Sequence, residues 1–401
     1  MRILQIMNRV PWPLKDGGSL GYYNYTKGYA DAGVDLTICT LNTNKHYFSI
    51  SDLPPHVKQL GKWYASNINT DIKAIDALVN LFSNKSYNIE RFYSQEFEQL
   101  LLKTITENTF DVIIFESIFV APYIDKIRSK TKAVCILRQH NVEYQIWETL
   151  AKGANNPLKK AYLNLLASRM RKAEEKYLNM FDGITTVTAQ DAEIFKSMGC
   201  NKPIFVSPFG IDMNRLDPGN QPQEPESVFH LGSMEWLPNQ QAMHWFLKEV
   251  WPGVIAEVPS AKFYLAGRGM SDSFNQYISD SVKIIGEVDD AVTFMQQKQL
   301  MIVPLFAGSG IRVKILEGMA LGKAILTTSL GVQGIDGEDG VHYSVANNSA
   351  DFVKGIIKLL KQPQLMAEMS KEARKLAAEK YDNTKVIANV LSFYNDLLKQ
   401  Q

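Results

Sequence analysis

Short apolar runs alternate with amphipathic helical stretches along the whole chain, and they do so in two successive series. The first series of runs covers residues 2–7, 35–41, 112–116, 133–138, 183–187 and 204–207. The second covers 227–231, 262–266, 282–285, 301–305, 323–327 and 341–345. Several of these lack polar alternation, as strands buried on both faces do. Helical patterns at 90–107, 158–179, 240–257, 313–321 and 350–360 lie between them. Strands that alternate with helices make parallel sheets with right-handed crossovers. The expected class is therefore α/β, with two doubly wound Rossmann-like domains facing a central cleft.

Chain length agrees: 401 residues fit two domains of the usual ~100–200 residues. The stretch DMNRLDPGNQPQEPES contains Pro218, Gly219, Pro222 and Pro225 and has no periodicity. A linker reads this way, which puts the boundary at 208–226 and predicts domains 1–208 and 209–383. Residues 45–87 give no clear pattern and read as an irregular insertion over one face.

Charge and cysteine usage exclude several classes. The 43 Lys and Arg against 42 Asp and Glu leave a net charge of +1, which argues against nucleic acid as a partner and against a disordered chain. Cys39, Cys135 and Cys200 fit neither a disulfide framework nor a zinc pattern. The apolar run at 2–7 is too short for a signal-peptide core and is followed by Pro11 and Pro13. No stretch approaches the ~18–20 apolar residues of a spanning helix. A cytoplasmic protein is expected. The basic stretch 152–176 reads as a solvated helix face, with peripheral contact to the inner membrane face as the competing reading.

Open parallel sheets bind ligands beyond the carboxyl ends of their strands, so chemistry is sought in the loops that follow. Loop 8–21 (NRVPWPLKDGGSLG) sets Gly17 and Gly18 before a helical pattern, where free N–H groups suit an anion or a sugar oxygen. It is not G-x-G-x-x-G, and a plain glycine turn is the alternative. His140 follows the run at 133–138, placed to bond or deprotonate a substrate hydroxyl near neutral pH, or else merely structural.

The strongest signal is VPLFAGSGIRVKILEGMALGK at 303–323. Its glycines permit close backbone approach, the helix start presents donors to a phosphate, and Arg312 can fork onto phosphate oxygens. Lys314 and Glu317 share a helix face, either as an ordinary ion pair or as a diphosphate cation beside a ribose ligand. Supporting loops run from Gly232 to Asn239, with Asn239 as the expected helix N-cap, over Gly267-Arg268-Gly269, and over 286–290.

Taken together, GSMEWLPN, LAGRG, GEVDD, PLFAGSGIRVKILEGMALGK and YDNTKVIANVLSFYNDLL resemble a GT-B glycosyltransferase of family 4, the retaining, nucleotide-sugar-dependent class. The resemblance covers nearly the whole chain. It implies an acceptor-binding first domain, completed by a crossover helix within 384–401, and a donor-binding second domain. By position it implies that Gly17 and Gly18 approach the donor phosphate and that His140 lies near the donor sugar. It places Val288 against the base, Ser309, Gly310, Ile311 and Arg312 against sugar and phosphate, and Glu317 on the ribose.

Two positions depart from the family. Ser309 stands where the first glutamate of E-x7-E is expected, which removes a carboxylate from the donor sugar hydroxyls. After Gly232 the family's Arg and Lys are replaced by Glu235 and Asn239. Arg312 and Lys314, with Arg268, are expected to supply the missing positive charge.

The implied reaction is retaining transfer of a sugar from a UDP- or GDP-sugar to a saccharide or lipid-linked hydroxyl. No Asp-x-Asp motif stands out, so a metal-free, hexosyltransferase-type enzyme without cofactor is expected. A sugar-nucleotide epimerase, a phosphorylase and a non-catalytic scaffold are the rival readings of the same architecture.

Overall fold

The computed structural model describes residues 1–14, 17–72, 80, 83–308 and 310–400. It divides into two compact units: Met1–Gly210 with Val386–Gln401, and Ile211–Lys385.

The first unit contains β1 (Arg2–Met7), β2 (Asp35–Thr43), β3 (Lys62–Ile68), β4 (Val112–Phe115), β5 (Val134–Gln139), β6 (Gly183–Thr186) and β7 (Ile204–Val206). All pair in parallel, in the order β3-β2-β1-β4-β5-β6-β7. Side chains along a strand alternate between faces, and here both faces are buried. Leu4, Ile6, Ile113, Phe115, Cys135 and Leu137 enter one core. Ile3, Val112, Ile114, Val134 and Ile136 enter the other. A two-sided sheet of this kind needs continuous apolar strands, which is why these runs were legible.

Helix α1 (Gly17–Asp31) follows β1. Helices α2 (Glu143–Lys152) and α3 (Pro157–Leu178) follow β5. Asn156 caps α3 by accepting from the amides of Leu158 and Lys159, and Pro157 fills the first position, where no amide is needed.

The second unit is a six-stranded sheet of order β10-β9-β8-β11-β12-β13. Its strands are β8 (Ser227–Leu231), β9 (Lys262–Ala266), β10 (Val282–Gly286), β11 (Leu300–Val303), β12 (Ala324–Thr327) and β13 (Ser344–Val345). Helix α4 (Leu237–Trp245) follows β8, and α5 (Val313–Ala320) follows β11. The last helix, α6 (Asn383–Leu398), sends Val386, Ile387, Val390, Tyr394 and Leu397 into the core shared with Ile3 and Ile114. The hydroxyls of Tyr394 and Tyr29 meet there at 3.0 Å.

Three local expectations are corrected. Residues 45–87 are not simply irregular, because β3 lies within them and pairs with β2 as the edge of the first sheet. The helix expected at 90–107 begins at Gln95, where Ser94 accepts from the Phe97 amide. The pattern at 240–257 starts at Leu237 and passes through a π-turn at Phe246–Val250. Among the described residues no helix is long and apolar enough to cross a membrane.

Candidate functional site

Each sheet has one point where its strand order reverses. Strands β2 and β3 are laid on one side of β1 and β4 to β7 on the other; β8 repeats the arrangement between β9 and β11. Ligand crevices of open α/β sheets form at such points, beyond the carboxyl ends of the strands. The loops after β1 and β4, and those after β8 and β11, are therefore the places to look.

In the first unit these strand ends carry a buried polar cluster. Glu116 directly follows β4 and is fully buried. One of its carboxylate oxygens accepts from Gln5 Nε2 at 2.6 Å, the other from Arg138 Nη1 at 2.8 Å, and His140 Nε2 lies 3.3 Å from the second oxygen. The Arg138 guanidinium stacks on the Tyr25 ring at 3.4 Å. Burial pushes the Glu116 carboxyl up, but Arg138 and His140 outweigh it and hold the group at about 2. Burial lowers His140, and the Arg138 charge adds to this, so its imidazole is neutral near pH 7. The Tyr22 ring meets His140 edge-on at 4.8 Å.

His140 and Gly18 line one pocket of about 630 Å³, together with Asn8, Tyr22, Asn141 and Glu143. Gly17 and Gly18 are not a loop ahead of the helix: they are the first two residues of α1. Their amides still belong to the first turn, where a helix leaves its N–H groups without intrahelical partners. Burial raises the Glu143 carboxyl to about 7, with Asn141 opposing. Glu143 opens α2, and buried Glu174 on α3 accepts from the amides of Glu143 and Tyr144 at 2.9 and 3.1 Å.

In the second unit the turn after β8 and the start of α5 meet. Lys314 Nζ lies 3.1 Å from Asn239 Oδ1 and 3.3 Å from His230 Nε2. A Cβ on Gly232 would sit 2.3 Å from that nitrogen, so only glycine leaves room for it. Burial lowers the Lys314 amine to about 7; Arg312 pushes the same way and Glu317 opposes. Asn239 is thus not the N-cap of α4, a place taken by Trp236. It is buried in the third position and donates to the Ser233 carbonyl at 2.8 Å. Lys314 and Glu317 form no ion pair, because the amine turns toward β8 instead. Burial raises the Glu317 carboxyl, against the pull of Arg215 and Lys314.

Arg312 immediately precedes α5 and is only 5% exposed. None of its three guanidinium nitrogens has a hydrogen-bond partner among the described residues. Burying a charge without a partner is costly, and a guanidinium can fork onto two phosphate or carboxylate oxygens at once. Beside it Gly308, at φ +119°, lets the chain pass under Trp236, where a Cβ would lie 2.7 Å from the ring. Gly310 also has a positive φ, of 76°. Ser309 lies outside the described residues, and Ile311 is half-buried.

The remaining expected residues sit on the neighbouring strand ends. Arg268 follows β9, and its guanidinium is held by Glu235 at 3.1 Å, so much of its charge is used locally. Val288 lies half-buried in the loop after β10, ahead of a short helix capped by Asp290. Sequence reasoning passed over Glu116 and His230. Both sit in or against apolar strands, and their partners lie 22 to 111 residues away in the chain. A polar residue inside an otherwise apolar run was the available signal.

Residues 225–362 match the model of the family described as Glycosyl transferases group 1. An uncharacterized 44.6 kDa protein in the cps region of Klebsiella pneumoniae is 23% identical over 406 residues, covering 97% of this chain and 98% of that protein. Sucrose-phosphate synthase from Thermosynechococcus elongatus superposes with a TM-score of 0.72 at 13% identity, covering 100% of both chains. Anabaena HepE in complex with UDP gives 0.66 at 14% identity, covering 99% of this chain and 100% of that one. The chain therefore has the GT-B fold, and within its second unit residues 225–362 are similar to the glycosyl transferases group 1 family, a match that supports glycosyltransferase activity.

Proposed function

We propose that this chain is a retaining glycosyltransferase of family 4 that moves a hexosyl group from a UDP- or GDP-sugar to a hydroxyl of a saccharide or lipid-linked acceptor. The observation that carries the reading is the pair of cations at the second unit's switch point. Arg312 is buried without a partner, and Lys314 reaches the turn at Gly232 and Asn239. The resemblance expected an Arg and a Lys on that turn, and here the charge comes from α5 instead.

Departure of a nucleoside diphosphate builds negative charge on the leaving group. Fixed cations and the amides at the start of α5 stabilise that charge without reorganising, and no metal is required in this account. Glu317, one turn into α5 with its carboxyl raised by burial, is assigned to the ribose hydroxyls. The loop at 308–312 is assigned to the sugar and phosphate, and Val288 to the base. Gly17 and Gly18, in the acceptor-binding unit, are assigned to approach the donor phosphate, and the neutral imidazole of His140, which lines the same pocket as Gly18, to the donor sugar at the reacting centre. Retention follows if the acceptor attacks from the face the diphosphate leaves, with the departing phosphate taking its proton.

Two comparisons agree with this reading. HepE is described in complex with UDP, and the Klebsiella relative lies in a cps region, which suits synthesis of surface polysaccharide or glycoconjugate. A cytoplasmic enzyme working at the inner membrane face is part of the same proposal. The test is product analysis: purified chain with UDP- or GDP-hexose and a saccharide acceptor, read by NMR at the new anomeric centre, with and without EDTA. The expected result is a new linkage of the donor's own anomeric configuration, insensitive to EDTA. Isomerised donor without acceptor, or consumption of inorganic phosphate, would establish the epimerase or phosphorylase reading instead.

A further inference from the structure

We infer that His230 is a positioning residue for donor binding: its ring is locked in one tautomer so that its Nε2 lone pair receives the Lys314 ammonium and holds it at the Gly232 turn. This rests on the donor-site reading above and adds a residue that neither the motifs nor the matches assign.

His230 is the fourth residue of β8, at the centre of the second sheet, and is fully buried. Its Nδ1 lies 2.8 Å from the carbonyl oxygen of Ile302 on the adjacent strand β11. A carbonyl only accepts, so Nδ1 carries the proton and Nε2 presents a lone pair. That lone pair faces Lys314 Nζ at 3.3 Å. Asn239 is oriented in the same manner: its Nδ2 donates to the Ser233 carbonyl, which turns Oδ1 to Lys314 at 3.1 Å. An ammonium has three N–H donors and no acceptor. Two are consumed by acceptors that backbone carbonyls hold in place, and one remains for a ligand oxygen.

The charged groups around this amine are few. Arg312 and Glu317 come from its own segment, and His230 and Asn239 come from β8 and α4. Burial holds His230 well below its ordinary value, with the Lys314 charge adding to the effect, so the ring does not compete for the proton near pH 7. A neutral acceptor in this place favours the charged form of Lys314, which burial alone disfavours. Fixing one ligand-binding group through the other nitrogen of a histidine is the same logic by which outer partners orient metal-bound imidazoles.

The test uses the full chain, with uridine diphosphate and inorganic pyrophosphate as probes. Nitrogen-15 NMR of the histidines in the unmodified protein should show one imidazole, assigned by its loss in His230→Leu, as the Nδ1–H tautomer at every pH from 5 to 9. A His230 ring that titrates in that range, or that carries its proton on Nε2, overturns the inference without any variant needing to fold. Carbon-13 NMR of the lysine side chains should show the Lys314 midpoint falling by about one pH unit in His230→Leu and returning in His230→Gln, whose amide can both donate to Ile302 and accept from Lys314. Probe affinity at pH 7.5 should fall at least about tenfold in His230→Leu and recover to within about threefold in His230→Gln. A folded His230→Leu variant with unchanged midpoint and affinity overturns the positioning role while leaving the donor site intact. Unmodified protein that binds neither these probes nor guanosine diphosphate overturns the donor reading instead, and the tautomer result then stands on its own.

Discussion

Lys314 Nζ lies 3.1 Å from Asn239 Oδ1, so a cation from the first turn of α5 occupies the turn that follows β8. The two residues are 75 apart in the chain. Lys314→Met keeps most of the volume and removes the charge. Donor turnover is expected to fall about 10²–10³-fold, the usual cost of deleting one fixed donor to a developing anion. Steady-state kinetics on the two proteins checks this.

For Arg312 the expected effects on stability and on turnover have opposite signs. Its guanidinium is buried without a hydrogen-bond partner, which burdens the folded state. Arg312→Met is therefore expected to leave the melting temperature unchanged or to raise it, while donor turnover drops sharply. Thermal unfolding beside an activity assay separates the two effects. A variant that melts early and still turns over donor contradicts the assignment.

Gly232 allows a test that alters no charge. The added methyl of Gly232→Ala would press on Lys314 Nζ, with Asn239 Nδ2 and His230 Nε2 at 3.0 and 3.1 Å. Donor affinity should fall by at least about tenfold with the fold retained. Gly267→Ala should do worse, since φ is +146° and the new Cβ would lie 1.8 Å from the Gly232 carbonyl oxygen. It is expected to disrupt the pairing of β8 with β9 and destabilise the second unit, read by circular dichroism on thermal unfolding.

The Glu116–Arg138 pair governs the first unit. Glu116→Gln leaves the buried Arg138 without its counter-ion, which typically costs about 3–5 kcal/mol. His140→Ala should cost far less in stability and act on turnover. The pH dependence follows from the Glu116 carboxyl, held at about 2 against an ordinary 4.5. A depressed carboxyl stabilises the fold fully above its unfolded value and loses that contribution as pH falls through the folded one. Chemical denaturation should therefore show stability declining from about pH 4.5 down toward 2, with a shallower slope in Glu116→Gln, where Glu224 and Asp290, also held low, still contribute.

The strands were legible because both faces of each sheet are buried, so apolar runs such as Ile113–Phe115 stand out even in isolation. Strand β3 was not, since it is an edge: its burial alternates along Lys62–Ile68, and Lys62, Tyr64 and Asn67 stay exposed. Gly308, Gly310 and Arg312 stood out in the sequence because close backbone approach and a helix start are local features. The direction of Lys314 was not, because sequence spacing pairs it with Glu317 three residues on, whereas the fold offers Asn239 and His230 across the sheet end. Asn239 read as a cap for the same reason: its residue type suits a helix start, and its true partners are distant.

In the proposed enzyme a nucleoside diphosphate sits on Arg312 and Lys314 at the switch point of the second sheet. The decisive measurement is calorimetric titration of UDP, GDP and ADP, with EDTA present, into the unmodified chain and into the Arg312→Met, Lys314→Met double variant. UDP or GDP is expected to bind the unmodified chain without a metal, and at least about a hundredfold more weakly to the double variant. Binding that survives both substitutions, or that requires a divalent ion, would contradict that placement.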